Sequence, residues 1–133
     1  MMNVVRIGTD LIEIARIELM LEKHGNTFIN RVYTKQEIEY CSNRAAASQH
    51  FAGRWAAKEA VLKVLGTGWA RGIQWTEIQV VLLASGEPLV ELSGKALEVA
   101  RESNIDQILL SISHTKQFAI AYAMGLSGPT SSN

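Results

Sequence analysis

A chain of 133 residues, 47% of them hydrophobic, is one domain's worth of polypeptide, long enough to bury roughly two-thirds of its unfolded surface. Its 13 Lys+Arg balance 13 Asp+Glu; 20% charged residues at zero net charge exclude a disordered chain and speak against a coat for nucleic acid. Cys41 is the single cysteine, so no internal disulfide is possible, and no apolar run reaches the ~18–20 residues that span a bilayer.

The first residues, Met1 to Arg6, lack the charged and apolar regions and the cleavage site of a signal peptide, so a soluble, cytoplasmic α+β domain is expected. Zero net charge keeps small proteins apart poorly and favours an oligomer. Val4 to Ile12 is β-branched and apolar and reads as a buried strand, bent or closely approached at Gly8. From Glu13 to His24, Ile14, Ile17 and Leu21 recur at helical spacing and Gly25 supplies a stop. A short helix is expected through Phe28–Val32, and Thr34-Lys35-Gln36-Glu37 has capping-box spacing for another running towards Cys41.

The longest helical signal covers Ala45 to Leu65 and ends at Gly66-Thr67-Gly68. Ile78–Leu83 and Pro88–Leu92 flank Ala84-Ser85-Gly86-Glu87 as a hairpin. Ser93 has the place of an N-cap before an amphipathic helix through Ala96, Leu97 and Ala100. Ile108–Ser113 and Phe118–Ala123 are strands joined at His114-Thr115-Lys116-Gln117. The expected fold is α+β, one long central helix and shorter helices packed on a mainly antiparallel sheet. Residues 1–125 form its single domain, and 126–133 have the composition of a flexible tail.

Three residues stand out chemically. Asp10 lies between Ile7 and Leu11-Ile12, where an unpaired carboxylate is expensive; a helix N-cap, an ion pair or a metal would each resolve it. Glu59 has Lys63 at i+4, an ordinary surface pair worth ~0.3–0.5 kcal/mol. Yet Ala56, Ala57 and Ala60 leave bare helix around it, room for something large. His114, at a turn between Ser113 and Thr115 and near Lys116, is either structural or part of a ligand loop. Together the pieces suggest a polyphosphate site. Two carboxylates neutralise one divalent cation, and Mg²⁺ takes one or two carboxylates plus phosphate oxygens and water. Arg54, Lys58, Lys63 and His114 would supply the remaining positive charge.

Three segments resemble one family in order and spacing, up to about Met124. Ile7-Gly8-Thr9-Asp10-Leu11-Ile12-Glu13-Ile14 is similar to the N-terminal signature of the small holo-acyl-carrier-protein synthases, a branch of the 4′-phosphopantetheinyl transferases. Phe51-Ala52-Gly53-Arg54-Trp55-Ala56-Ala57-Lys58-Glu59-Ala60-Val61-Leu62-Lys63-Val64-Leu65-Gly66-Thr67-Gly68 resembles that branch's central helix motif, and Ser111-Ile112-Ser113-His114-Thr115 its third. The resemblance implies transfer of the phosphopantetheine arm of coenzyme A to a serine of apo acyl carrier protein, for fatty acid biosynthesis, with adenosine 3′,5′-bisphosphate as the other product. It implies Asp10 and Glu59 as Mg²⁺ ligands, and Lys63 against the phosphates or as acid to the departing bisphosphate. Arg54, Gly66, His114 and Thr115 would line the coenzyme A pocket. It further implies a homotrimer with its site between subunits. Larger relatives carry a third acid two residues after the aspartate; Ile12 occupies that place here, which leaves water to complete the metal's shell. The serine's base is then either Asp10 or a metal-bound water. Acyl carrier proteins are acidic, and Arg16 and Lys23, sharing a face of the first helix, are the expected docking residues. A plain binding module would need no metal-ligating pair, whereas a phosphohydrolase would use the same ion with water as nucleophile.

Overall fold

Glycine and alanine let one long helix lie unusually close to a sheet, and this contact organises the fold. The structure, a computed structural model, describes residues 2–129. In chain order it runs β1 (Asn3–Glu13), α1 (Ile14–Val32), α2 (Lys35–Ser42), α3 (Ala47–Leu65), two 3₁₀ turns (Gly68–Arg71 and Trp75–Glu77), β2 (Ile78–Leu82), β3 (Pro88–Leu92), α4 (Gly94–Glu102), β4 (Gln107–His114) and β5 (Phe118–Ser127). All strand pairing is antiparallel, as expected, but it divides into a three-stranded sheet ordered β1-β5-β4 and a separate β2-β3 hairpin.

α3 crosses the inner face of the larger sheet. The central strand β5 meets it with Ala119, Ala121, Ala123 and Gly125, while α3 turns Ala56, Ala57 and Ala60 inward, all buried. Side chains this small bring backbones together. At Gly8 of β1 a Cβ would collide with the carbonyl oxygen of Ala60 and lie 2.9 Å from Lys63 Cβ. The close neighbour expected there is thus α3. Gly8→Ala should therefore cost about 1–3 kcal/mol in urea unfolding, because backbone cannot yield as a side-chain tip can.

Several expected boundaries are met and a few are corrected. The Thr34–Glu37 capping box forms both bonds: Glu37 N–H donates to Thr34 Oγ1 at 3.2 Å and Thr34 N–H to Glu37 Oε1 at 2.9 Å. Gly25, at φ 46° and ψ −124°, breaks α1 into two helical pieces, which agrees with the stop and restart read there. α3 begins at Ala47, two residues later than expected, since residues 43–46 form turns. Ser93 holds the N-cap position of α4 without a side-chain bond; Glu77 Oε1 accepts from Ala96 N–H instead. Leu126 and Ser127 continue β5, so the expected tail starts too early, and its last residues, 130–133, lie outside the described residues.

β1 is not a buried strand within one chain. α3 covers only one face, leaving Ile7 and Leu11 on the other 53% and 59% exposed. Lys58 is also misplaced by the sequence reading. Its ammonium is fully buried, 2.8 Å from Glu37 Oε1, and donates to the carbonyl oxygens of Trp75 and Ile78. Glu37 accepts a further bond from Val80 N–H at 2.8 Å. Lys58 thus ties α2 and β2 to α3 and has no charge to offer a ligand. Cys41 is buried, and burial pushes its thiol up to about 11, so it stays protonated at neutral pH.

Candidate active site

Alternation along β1 puts Gly8 and Asp10 on the same face, so the approach that Gly8 permits also delivers Asp10 to α3. There Lys63 Nζ donates to Thr9 O at 2.7 Å and lies 3.7 Å from Asp10 Oδ1. Glu59 precedes Lys63 by one helical turn. Burial raises the Asp10 carboxyl above its usual range, with Lys63 and Arg16 pulling it back. Glu59 is raised by burial and next by the negative charge of Asp10, against Lys63 and Trp69. The two acids therefore share one electrostatic environment. Asp10 sits inside β1 and caps no helix; Glu13 takes the N-cap position of α1 and makes no side-chain bond there. Lys63 forms its ion pair with Asp10, not with Glu59 at i−4.

The other expected residues lie across the helix. Sheet register aligns Asp10 with Ala121 and Ile112, and places His114 at the far edge, beside Ala119. With β5 under α3, the β1 and β4 edges flank the helix on opposite sides. Arg54, five residues before Glu59, points about 140° away from it around the helix. Arg54 and His114 share a cavity of about 160 Å³ with His50, Gln49 and Tyr40. Thr115 belongs to this flank, since Gln49 Nε2 donates to its carbonyl oxygen at 3.2 Å. Its hydroxyl oxygen accepts from Gln117 and Phe118 N–H in the β4–β5 turn, which leaves the hydroxyl proton free to donate.

This second flank is cationic. Arg44 and Arg54 guanidiniums sit 4.1 and 4.3 Å from the Tyr40 ring centroid. The His50 ring is 6.4 Å from that of His114, and burial followed by Arg54, His114 and Arg44 lowers the His50 pKa. Arg54 is 4% exposed, and its Nε has no hydrogen-bond partner among the described residues. A buried guanidinium with an unused donor suits an anion. His50, Arg44 and Tyr40 escaped the sequence reading, although His50 precedes Arg54 by one turn of the same helix. Gly66 ends α3 at φ 81°, and a Cβ there would lie 2.8 Å from the Arg6 guanidinium. Arg6, also missed, donates from Nε to Val64 O at 2.8 Å and counters the negative helix end.

The acidic flank fits a hard divalent cation. Two carboxylates raised by burial and mutual repulsion carry uncompensated charge that a dication would balance. Among the described residues no three His, Cys, Asp or Glu side chains gather around one point, so water and substrate oxygens would fill the remaining positions. Ligation requires both carboxyls to be ionised. Mg²⁺ half-saturation should therefore rise as pH falls into the raised carboxyl range, at higher pH than for ordinary acids. Mg²⁺ titrations between about pH 5 and pH 8 check this; a pH-independent value contradicts it.

Comparison with known proteins supplies the remaining observation. Residues 6–123 match the model of the 4′-phosphopantetheinyl transferase superfamily. The chain belongs to that superfamily. It is 52% identical over 118 residues to a holo-[acyl-carrier-protein] synthase of Gloeobacter violaceus, covering 87% of this chain and 88% of that protein. The solved holo-ACP-synthase of Plasmodium yoelii superimposes with a TM-score of 0.84 at 32% identity, over 97% of this chain and 99% of the other. The Helicobacter pylori holo-[acyl-carrier-protein] synthase, solved in complex with coenzyme A, gives a TM-score of 0.80 at 32% identity, over 90% and 99% of the two chains. The superfamily match spans both flanks of α3, from Arg6 to Ala123.

Proposed function

We propose that the chain transfers the 4′-phosphopantetheine moiety of coenzyme A to a serine of apo acyl carrier protein, Mg²⁺-dependently and for fatty acid biosynthesis, releasing adenosine 3′,5′-bisphosphate. The observation that carries this reading is the meeting of Asp10, Glu59 and Lys63, which lie on different elements but in the motifs of a transferase family. Such transfer asks a protein mainly for positioning and charge neutralisation. Asp10 and Glu59 would hold the Mg²⁺. Bound there, the ion would polarise phosphorus and stabilise the departing phosphate. The Lys63 ammonium, 55% exposed, reaches the same region and can hold a phosphate oxygen or give its proton to the leaving bisphosphate. Arg54, His114 and Thr115 offer donors to the nucleotide half of coenzyme A, and Gly66 keeps the end of α3 open beside Lys63.

One chain presents these two sets on opposite sides of α3, so a complete site needs a second copy to bring a cationic flank to an acidic one. The outer face of the β1-β5-β4 sheet is suited to that. Ile7, Leu11, Leu109, Ile120 and Tyr122 form an exposed apolar surface where a solvated antiparallel sheet would be polar. We assign this face to a homotrimer with the site between subunits, each chain contributing one transferase domain over residues 1–125. None of the described helices is long and apolar enough to cross a membrane, and the reaction is placed in the cytoplasm.

The carrier protein would dock on α1. Arg16 and Lys23 are exposed, and between them Leu19 and Met20 present apolar surface, 47% and 36% exposed. Cations around an apolar stripe suit an acidic helical partner. Arg16 is also close enough to act on the Asp10 carboxyl, so the docking face adjoins the acidic flank. Arg16→Glu should raise KM for the carrier protein at least several-fold and leave coenzyme A affinity nearly unchanged. Equal loss of both would contradict docking there.

Incubation with coenzyme A, Mg²⁺ and apo carrier protein tests the function directly. The carrier protein should gain about 340 Da, one phosphopantetheine arm. Unchanged mass with coenzyme A hydrolysed would instead support a phosphohydrolase.

A further inference from the structure

All three tryptophans of the chain meet in one stack. Trp55 on α3 lies against Trp75 of the second 3₁₀ turn, ring centroids 4.4 Å apart and planes 28° apart. Trp75 lies in turn against Trp69 of the first 3₁₀ turn, at 4.2 Å. Trp55 precedes Glu59 by one helical turn, so the stack folds the Gly68–Arg71 segment back onto α3 at the level of Glu59. The Trp69 indole, a donor without acceptor capacity, interacts with the Glu59 carboxylate from there. Arg71, two residues on, clamps the segment to α4 through paired contacts with Glu102 at 2.5 and 3.2 Å.

We infer that Trp69 is a positioning residue for Glu59, its indole N–H directing the carboxylate towards Asp10 while the stack on Trp75 and Trp55 fixes the ring. Without it, Glu59 would have only Lys63 to oppose its repulsion from Asp10 and would swing away from the shared site. The role goes beyond the reading of Gly66-Thr67-Gly68 as a helix stop, and it rests on Glu59 ligating Mg²⁺.

Trp69→Phe keeps an aromatic ring in the stack and removes the N–H. In that variant, Mg²⁺ half-saturation should rise roughly tenfold, the scale for losing a group that orients a metal ligand. KM for coenzyme A at saturating Mg²⁺ and the melting temperature without metal should stay near the parent values. A folded Trp69→Phe with unchanged Mg²⁺ half-saturation overturns the inference. A second measurement needs no change at Trp69: Mg²⁺ added to the parent with coenzyme A should alter tryptophan emission, and in Glu59→Gln should not. Flat emission while the parent saturates with Mg²⁺ also overturns it. If Glu59→Gln itself keeps normal Mg²⁺ half-saturation, the metal site fails; if it loses Mg²⁺ dependence while Trp69→Phe does not, only the positioning role fails.

Discussion

Glu59→Gln should fold like the parent and lose Mg²⁺-dependent transfer by roughly a thousandfold, because cation stabilisation of a transferring phosphate is worth several kcal/mol. The substitution keeps size and shape, removing only the charge that would meet the ion. Its effect on stability should have the opposite sign. An acid whose pKa is raised in the fold is favoured there in its protonated form, and so opposes folding while ionised. That cost is present at neutral pH and disappears as pH falls through the raised value. Both Asp10 and Glu59 are raised, mainly by burial. Without metal, Glu59→Gln should therefore melt no lower than the parent and gain nothing from added Mg²⁺. A variant that melts lower and keeps its activity would give Glu59 a structural role. The comparison needs only thermal melts with and without Mg²⁺ beside the transfer assay.

Lys58→Met should be the most destabilising single change described here, by about 3–5 kcal/mol. On a chain of this size that lowers the melting temperature by roughly 10–20 °C. The loss is large because Glu37 stays behind as a fully buried charge, still accepting from Thr34 and Val80 N–H but with its cation gone. The carbonyls of Trp75 and Ile78 lose their donor as well. Burial lowers the Lys58 pKa even with Glu37 in contact, which marks how much the pair spends on leaving water. A shift under about 1 kcal/mol would mean that water reaches Glu37. If Lys58 served the ligand instead, the variant would keep its melting temperature and lose coenzyme A affinity.

Local rules in the sequence reached far into this fold. The Thr34–Glu37 box, the glycine end of α3 and the β2-β3 hairpin depend on neighbouring residues, and all form as read. What failed depends on distant partners. Periodicity placed Lys58 on the same helix as Arg54 and Lys63 but could not show that Glu37, on another element, would enclose it. The apolar alternation of β1 resembled burial because nothing local shows that only one face of that strand meets α3. Among the site residues, Asp10, Glu59 and Lys63 come together. Arg54, His114 and Thr115 do not join them within one chain, since the width of α3 intervenes. A linear motif holds no record of which side of a helix each member faces. His50 carried a usable signal, one turn before Arg54, whereas Trp69 carried none until the stack with Trp75 was visible.

A crystal grown with coenzyme A and Mg²⁺ tests the heart of the account. One ion should lie about 2.0–2.1 Å from a carboxylate oxygen of Asp10 and from one of Glu59, with water and pyrophosphate oxygens completing an octahedron. An ion bound elsewhere, with Asp10 still held by Lys63 and Glu59 turned to other partners, would contradict it.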